Sequence, residues 1–356
     1  MFNICKKRYN LPVMDNSEPR VSILLPVYNA AKTLEEALDS IISQSMASFE
    51  VVAVDDGSED DSSEILKAWA KRDKRFKPIF SEHQGIVKAP NKGLQYCRGV
   101  YVARMDADDR MHIDRLKKQT ALLDASPGVS VVTCLVEMFS HEGDVGEGMK
   151  VYEKWLNGLA THSDIFRERF IESPIANPTS MMRRYELNSF AGYHDRGWPE
   201  DYDLWLRYAH AGKRFEKIQE VLFYWREHKK RVTHNESRYS VENFLRAKAY
   251  YLCKGPLSES QGLIVWGAGK TGRRLSKHLI RQGYRPDLFI DVTPKKIGSS
   301  LYGVPIVSPD DLLSNWNKLA FPSLLVAVAS RGAREKIRER LKFWKFFEAK
   351  DFWCVA

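Results

Sequence analysis

The sequence predicts an α/β protein with two Rossmann-like sheets, a larger N-terminal domain on a mixed sheet and a smaller C-terminal α/β domain. Three observations carry this. Short, uniformly apolar runs alternate with amphipathic helical stretches from Val21 to about Val136, as expected of strands buried on both faces and joined by crossover helices. A second such series starts at Leu263-Ile264-Val265-Trp266 and leads into Gly267-Ala268-Gly269-Lys270-Thr271-Gly272. The 356 residues suffice for two or three domains, at roughly 100–200 residues each.

Taken in order, residues 1–20 mix Lys6, Lys7 and Arg8 with polar residues and lack the apolar core of a secretory signal, so a mobile tail is expected. Residues 21–27 read as the first strand. The next helix is expected to open at Thr33, with Glu36 completing a capping box and Leu34, Ala37, Leu38, Ile41 and Ile42 on one stripe. Residues 49–54 form a second buried strand ending in Asp55-Asp56-Gly57-Ser58, where Asp60 or Asp61 would cap a helix over residues 63–71. A third strand, 100–105, runs into Asp106-Ala107-Asp108-Asp109, and a helix then leads to the strand 129–136. Beyond residue 148 helices are expected near 164–171 and 202–211, and strands near 178–183 and 215–224. A helical stretch over 237–253 stops at Lys254-Gly255-Pro256. The expected domains are 21–235 and 261–356, with 236–260 as a helical linker.

Composition narrows the function. Hydrophobic residues at 44% exclude a disordered chain. A mean hydropathy of −0.41 and the lack of any apolar run near 20 residues exclude a spanning helix. The net charge of +9 favours phosphate-bearing partners or an anionic membrane surface. Basic residues gather around 71–77, 226–231 and 331–345 without interleaved stacking residues, which argues against nucleic acid. The five cysteines, Cys5, Cys97, Cys134, Cys253 and Cys354, are widely spaced with no Cys-x-x-Cys pair. Neither a disulfide framework nor a zinc site is suggested, and a reducing, cytoplasmic compartment is expected, with peripheral contact at the inner face of the membrane left open.

Asp106 and Asp108 lie two residues apart at a strand end, where period-two geometry would aim both carboxylates the same way, about 6–7 Å apart. Such a pair repels itself unless a cation lies beside it, and hard oxygen ligands suit Mg²⁺ or Mn²⁺ held jointly with phosphates. A bare Asp-x-Asp is more often a solvated acidic turn. Here it ends a buried strand, where ligands of open α/β sheets bind. Asp55 and Asp56 could accept hydrogen bonds from a base or a ribose, with Gly57 turning the backbone closely, although Asp-Gly-Ser is also ordinary turn chemistry.

Pro26-Val27-Tyr28-Asn29, Asp55-Asp56-Gly57-Ser58, Arg104-Met105-Asp106-Ala107-Asp108-Asp109 and Glu200-Asp201-Tyr202-Asp203-Leu204-Trp205-Leu206-Arg207 occur in this order. Together they resemble the successive motifs of family 2 glycosyltransferases with the GT-A fold, over roughly residues 21–233. The resemblance implies a nucleotide-diphosphate-sugar donor, usually a UDP-sugar, bound at the sheet's carboxyl edge with Mn²⁺ or Mg²⁺. Pro26 and Tyr28 would line the base pocket, with Asn29, Asp55 and Ser58 beside it and Asp56 contacting the base. Asp106 would approach the ribose, next to Arg104, and Asp108 would ligate the metal. Gly85 and Asn91 match positions flanking the donor, though Asn91 could equally be satisfied within its own helix. Enzymes of the family invert the anomeric carbon, with Asp201 as general base beside Glu200.

Chemistry agrees with that assignment. The departing diphosphate gains charge that a metal and cations must stabilise, and an acceptor hydroxyl needs a carboxylate to take its proton. Asp201 lies near a helix N-terminus, which is expected to lower its pKa. Arg226 and His228 match a phosphate clamp and a metal ligand, or else form a solvated basic loop with Lys229, Lys230 and Arg231. Loops at 142–152 and 175–197 would choose the sugar and the acceptor, a glycan or lipid-linked hydroxyl.

In the C-terminal part, Gly267, Gly269 and Gly272 with Asp291 follow the dinucleotide pattern, the Asp placed for a ribose hydroxyl. This part reads as short, with about four strands, and resembles the small N-terminal domains of sugar O-acyltransferases. It leaves two readings open: a bound nucleotide or NAD, or a scaffolding or homo-oligomerisation role. Two other functions remain alternatives. A nucleotidyltransferase would want a glycine-rich basic loop after the first strand, which Tyr28-Asn29-Ala30-Ala31-Lys32 does not supply; an NAD-binding sensor or dehydrogenase would use the C-terminal domain.

Overall fold

The computed structural model describes residues 18–229 and 231–356, so residues 1–17 of the expected tail lie outside the described residues. Of that segment's end, Arg20 is fastened to Asp124 and its N–H to the carbonyl of Ser48.

The first sheet contains β1 (Val21–Val27), β2 (Phe49–Asp55), β3 (Phe76–Phe80), β4 (Tyr101–Arg104), β5 (Arg110–Met111), β6 (Val129–Phe139), β7 (Met181–Arg183) and β8 (Arg214–Arg226). Its eight strands run in the order β3-β2-β1-β4-β7-β6-β8-β5. β1 pairs in parallel with β2 and β4, so Val27, Asp55 and the residues after Arg104 end on one edge. β7 is antiparallel to both β4 and β6, which makes the sheet mixed. Every residue of β2 and all of β1 except Pro26 are buried, because helices Ala31–Ile42 and Lys88–Leu94 cover opposite faces. The far edge curls back: the Met111 N–H reaches Ser40 Oγ at 3.2 Å and Gln44 Nε2 reaches the His112 carbonyl at 2.8 Å. That closure brings the end of β8 to the first helix and to the acidic turn.

Several local expectations are corrected. The first helix starts at Ala31 with Ala30 as N-cap and no capping side chain. Thr33 lies inside it, bonding the carbonyls of Ala30 and Ala107 at 3.3 and 3.1 Å, while Glu36 pairs with Arg110 and Arg226. The expected strand 178–183 is a 3-10 turn, Asn177–Thr179, followed by the short β7, since Pro178 cannot donate to a sheet ladder. The expected loop 142–152 is largely a helix, Glu147–Gly158.

The second sheet contains β9 (Gly262–Trp266), β10 (Leu288–Ile290), β11 (Ser300–Leu301), β12 (Val304–Val307), β13 (Pro322–Val326) and β14 (Phe352–Cys354). Six strands replace the four expected, in the order β11-β12-β10-β9-β13-β14, all parallel except β11. The missed ones have two or three residues, too few for a period to show.

Helix Val241–Lys254 fills most of the expected linker but is no free connector. Its Leu245, Ala249 and Leu252 share one core with Phe170, Trp198, Tyr202 and Leu206 on one side and Val265, Leu275 and Phe289 on the other. Burying each large apolar side chain contributes about 1.5–3 kcal/mol, so the two sheets are fixed through this helix. The four described cysteines are free and buried. No helix among the described residues is long and apolar enough to cross a membrane.

Candidate active site

At the ends of β1 and β2, the predicted residues come together, but several act on one another. Asp55 accepts from the Ser58 N–H at 3.1 Å and from the Ser63 hydroxyl. Asp56, 3% exposed, accepts from the N–H groups of Gln84 and Gly85 at 2.9 and 2.8 Å and contacts His83 Nδ1 at 2.9 Å. In this structure the Asp56 carboxylate holds the loop 83–85 against the sheet edge. Gly57 is required there, with φ +74° and its Cβ position only 2.7 Å from the His83 nitrogen. Asn29 accepts from the Glu59 N–H at 2.8 Å and donates its own N–H to Ser58 Oγ at 3.0 Å, knitting the same two loops. What this framework presents outward is Tyr28, 46% exposed and stacked on His83 at 4.1 Å, beside half-buried Pro26 and open space at Gly85. Such a ring platform suits a nucleobase.

Asn91 is also corrected. Its amide donates to the Tyr193 carbonyl at 2.7 Å and accepts from the Tyr193 N–H at 2.9 Å, so it is not satisfied within its own helix. It fixes the loop that carries Tyr193.

After β4 the chain leaves the strand, and Asp106–Asp109 form a turn in place of the extended geometry expected. Buried Arg104 binds Asp106 Oδ1 at 2.7 Å. Asp108 Oδ2 lies 2.9 Å from His228 Nε2. Asp109 is buried, with one oxygen accepting from the Arg226 N–H at 2.7 Å and the other without a partner among the described residues. Burial raises the pKa of Asp106, with Arg104 opposing and Asp108 adding to the rise. Burial and the charges of Asp108 and Asp106 hold Asp109 well above the carboxylate range. A pocket this rich in carboxyl groups stabilises a cation.

The phosphate-clamp reading of Arg226 does not fit. The side chain is 5% exposed, and each of its guanidinium nitrogens has a partner: the Asp108 carbonyl at 2.5 Å, His141 Nδ1 at 2.9 Å, and Glu36. Arg226 shapes the acidic turn. Besides Arg104, the cation whose charge acts on this turn is Arg231, which the sequence left in a solvated basic loop. It stacks on Trp225 at 4.5 Å and pairs with Glu227 at 2.9 Å, four residues earlier. Desolvation works against its charge, but Asp109, Glu227 and Asp108 raise its pKa. The Glu-x-x-x-Arg spacing was the one available signal.

Across the cleft stands helix Glu200–His210, with Pro199 as N-cap, so the N-cap reading of Asp201 falls away. Asp201 accepts from the Tyr202 N–H at 2.7 Å. Its pKa is raised to about 6 by burial, against that hydrogen bond, with Asp106 and Glu172 adding to the rise. The expectation of a lowered pKa is thus reversed, because desolvation outweighs the helix end. Glu200 is pushed up to about 8 by burial and by Asp201. Both its oxygens accept from the Tyr239 hydroxyl at 3.0 Å, a contact from beyond the catalytic motifs that no spacing in the sequence announced. A carboxylate titrating near 6 is ionised at neutral pH yet basic enough to take a proton.

The residues fit a divalent metal in part. Asp108 and His228 form a hard oxygen-nitrogen pair, and Asp109 keeps an unpartnered buried oxygen. Among the described residues no group of three or more His, Cys, Asp or Glu makes a complete cage. A metal here would need phosphate oxygens to complete its shell, as Mg²⁺ and Mn²⁺ commonly have.

In the second sheet, Gly267 and Gly272 are demanded by packing: a Cβ at Gly272 would lie 1.8 Å from the Gly267 carbonyl, and one at Gly267 would lie 2.8 Å from that of Ala327. Gly269 is the N-cap of helix Lys270–Arg281. Asp291 is turned inward, accepting from the Ala268 N–H at 3.0 Å, the Thr293 N–H at 2.9 Å and Lys296 at 2.8 Å. Its carboxylate thereby braces the glycine loop.

Comparison with known proteins gives the family. Residues 22–190 match the family described as glycosyl transferase family 2. The putative glycosyltransferase EpsE of Bacillus subtilis (strain 168) is 31% identical over 255 residues, 68% of this chain and 86% of that protein. The amylovoran biosynthesis glycosyltransferase AmsE of Erwinia amylovora is 30% identical over 207 residues, 56% of this chain and 74% of that protein. Among solved structures, S. aureus TarS 1–349 in complex with UDP-GlcNAc covers 74% of this chain and 72% of its own, with a TM-score of 0.52 and 20% identity, a likeness of fold. With three motifs at one sheet edge, a fourth on helix Glu200–His210 and a relative matched over most of its length, this chain is a glycosyltransferase and belongs to glycosyl transferase family 2.

Proposed function

We propose that this chain transfers a sugar, with inversion, from a nucleotide-diphosphate donor of the UDP-sugar type to a hydroxyl of a glycan or lipid-linked acceptor in surface polysaccharide synthesis. The observation that carries this is the gathering of these groups at one site: Asp108 with His228 and the charge of Arg231, and Asp201, with a pKa of about 6, close enough for Asp106 to raise it. The family assignment and relatives such as AmsE, named for amylovoran biosynthesis, support a glycan product. Catalysis would belong to residues 21–235, and 261–356 would form a separate unit joined by 236–260.

In this reading the Tyr28–His83 platform receives the base and Asp106 the ribose. A divalent metal held by Asp108 and His228 would neutralise charge on the diphosphate. Arg231, aimed at the same site and poorly solvated, stabilises the departing diphosphate from the protein side. Asp201 accepts the proton of the attacking hydroxyl on the opposite face of the sugar, and attack opposite the leaving group inverts the anomeric centre. Glu200, mostly protonated at neutral pH, leaves Asp201 as the one carboxylate of the pair that is charged.

Calorimetric titration with UDP, GDP and NAD, each with and without Mn²⁺, followed by a nucleotide-sugar panel, tests the proposal. Metal-dependent UDP binding is expected. NAD binding without metal-dependent nucleoside-diphosphate binding would overturn it.

A further inference from the structure

The second sheet carries an exposed aromatic edge that the transfer reaction does not use. Phe343, Phe321 and Phe347 are 83%, 75% and 63% exposed. Phe321 immediately precedes β13, and Phe347 lies five residues before β14. These strands pair in parallel with Leu324 opposite Phe352, so the segments entering them lie side by side. Helix Ala333–Phe343 leaves the far end of β13 and returns to this same edge, where Phe343 is its last residue. The turn Phe347–Asp351 is closed by the Phe347 N–H on the Asp351 carboxylate at 2.7 Å, and the Asp351 carbonyl accepts from the Leu324 N–H at 3.0 Å.

This edge is also basic. Lys318, Lys342, Lys345 and Lys350 are exposed around the three rings, and Lys350 Nζ lies 5.7 Å from the Phe347 ring centre. Of the nearby acids, Asp351 is engaged with the Phe347 N–H, Glu348 with Arg338, and Asp287 with the Leu263 N–H, leaving Glu259 and Glu339 exposed. Phe321 adopts φ +42° and Lys345 φ +64°, a left-handed region that is unfavourable for non-glycine residues. Internal packing gains nothing from the outward Phe321 ring.

We propose that this edge docks on an anionic membrane surface, with the three phenyl rings entering the headgroup boundary and the four lysines lying over anionic headgroups. Apolar rings set in a cationic rim are the chemistry of interfacial binding. A second copy of the chain is the weaker occupant, because a two-fold contact through this edge would bring its lysines against their own counterparts. The proposal goes beyond the transfer reaction and does not depend on which donor or base is used.

Cosedimentation of the full chain with phosphatidylglycerol-containing or pure phosphatidylcholine vesicles tests it. Binding is expected on the anionic vesicles, falling with added salt. The variant Phe321→Ser/Phe343→Ser/Phe347→Ser should lose at least tenfold in partitioning while keeping its circular dichroism spectrum. Independently, Lys342→Glu/Lys345→Glu should lose at least twenty-five-fold, about fivefold for each lysine removed. Failure of the wild-type chain to bind anionic vesicles, or undiminished binding by both variants, would overturn the proposal. So would a wild-type dimer in light scattering that the phenylalanine variant converts to monomer.

Discussion

Asp203 offers the strongest test of how the candidate base is held. It is completely buried, and it accepts from Trp198 Nε1 at 2.9 Å, from the Tyr251 hydroxyl at 2.8 Å and from Arg207 Nε at 2.7 Å. Those donors belong to three pieces of chain: the loop before Pro199, helix Val241–Lys254, and the base helix itself. Asp203→Ala removes the acceptor of a buried ion pair, which costs about 3–5 kcal/mol. Arg207 keeps its bonds to the carbonyls of Phe190 and Gly192 but loses its counter-charge, and two further buried donors lose their partner. The loss should therefore fall near the upper end of that range. Tyr251→Phe deletes one hydrogen bond to a charged acceptor and should cost about 1.5–3 kcal/mol. Urea unfolding followed by tryptophan fluorescence measures both, with the midpoint shift converted to free energy. A loss below about 1 kcal/mol for Asp203→Ala would refute the claim that this carboxylate ties the base helix to helix Val241–Lys254.

The pH profile of kcat/KM should have an acidic limb near pH 6, because Asp201 acts only when ionised and its pKa is raised to about 6; at pH 5 activity should be about a tenth of the plateau. A limb near pH 4 would remove Asp201 as the base. Arg231→Ala should lower kcat by about 10²–10³-fold, the usual loss for a preorganised charge-stabilising group, with an unchanged fold by circular dichroism; near-native turnover would count against its role. Tyr239→Phe takes a hydrogen bond from the ionised form of Glu200, so the Glu200 pKa should rise further, seen as an upward shift of the second ionisation in a carboxyl-resolved NMR titration. Chelation should abolish turnover, Mn²⁺ should restore it, and Asp108→Ala should prevent that rescue; turnover unchanged by chelation would contradict the metal reading.

The fold was legible where patterns are long. β1 and β2 are seven-residue runs buried almost throughout, and no other local structure accounts for them as well. The acidic motifs were legible by residue type but not by use. Asp55, Asp56 and Asp291 carry the expected carboxylates, yet Asp55 faces the Ser58 N–H of its own loop, Asp56 those of Gln84 and Gly85, and Asp291 that of Ala268, and the last two orientations depend on chain folded far from the motif. The same holds for Arg226 and Arg231. They stand in one basic stretch and look interchangeable, but β8 buries the first against Glu36 while the chain beyond it turns the second toward Asp109. The Asp201 pKa failed for a related reason: a helix start is visible in sequence, whereas the burial that outweighs it is not.

The base helix also explains why the second sheet matters to the first. The family match ends at residue 190, before Glu200 and Asp201, so the donor edge lies within the matched region and the candidate base does not. Its supports come from further along still. Tyr239 holds Glu200, Tyr251 holds Asp203, and Lys248 Nζ reaches the carbonyls of Ile171 at 2.7 Å and Val355 at 3.2 Å, joining the segment beside Glu172 to the last strand's end. Tyr202 and Leu206 bury their side chains in the core shared with Val265 and Phe289. A carboxylate can titrate near 6 only while its surroundings stay dry and fixed. The second sheet supplies that condition by packing behind the helix, so on the proposed mechanism it would contribute to transfer through the position of Asp201 without binding a ligand of its own.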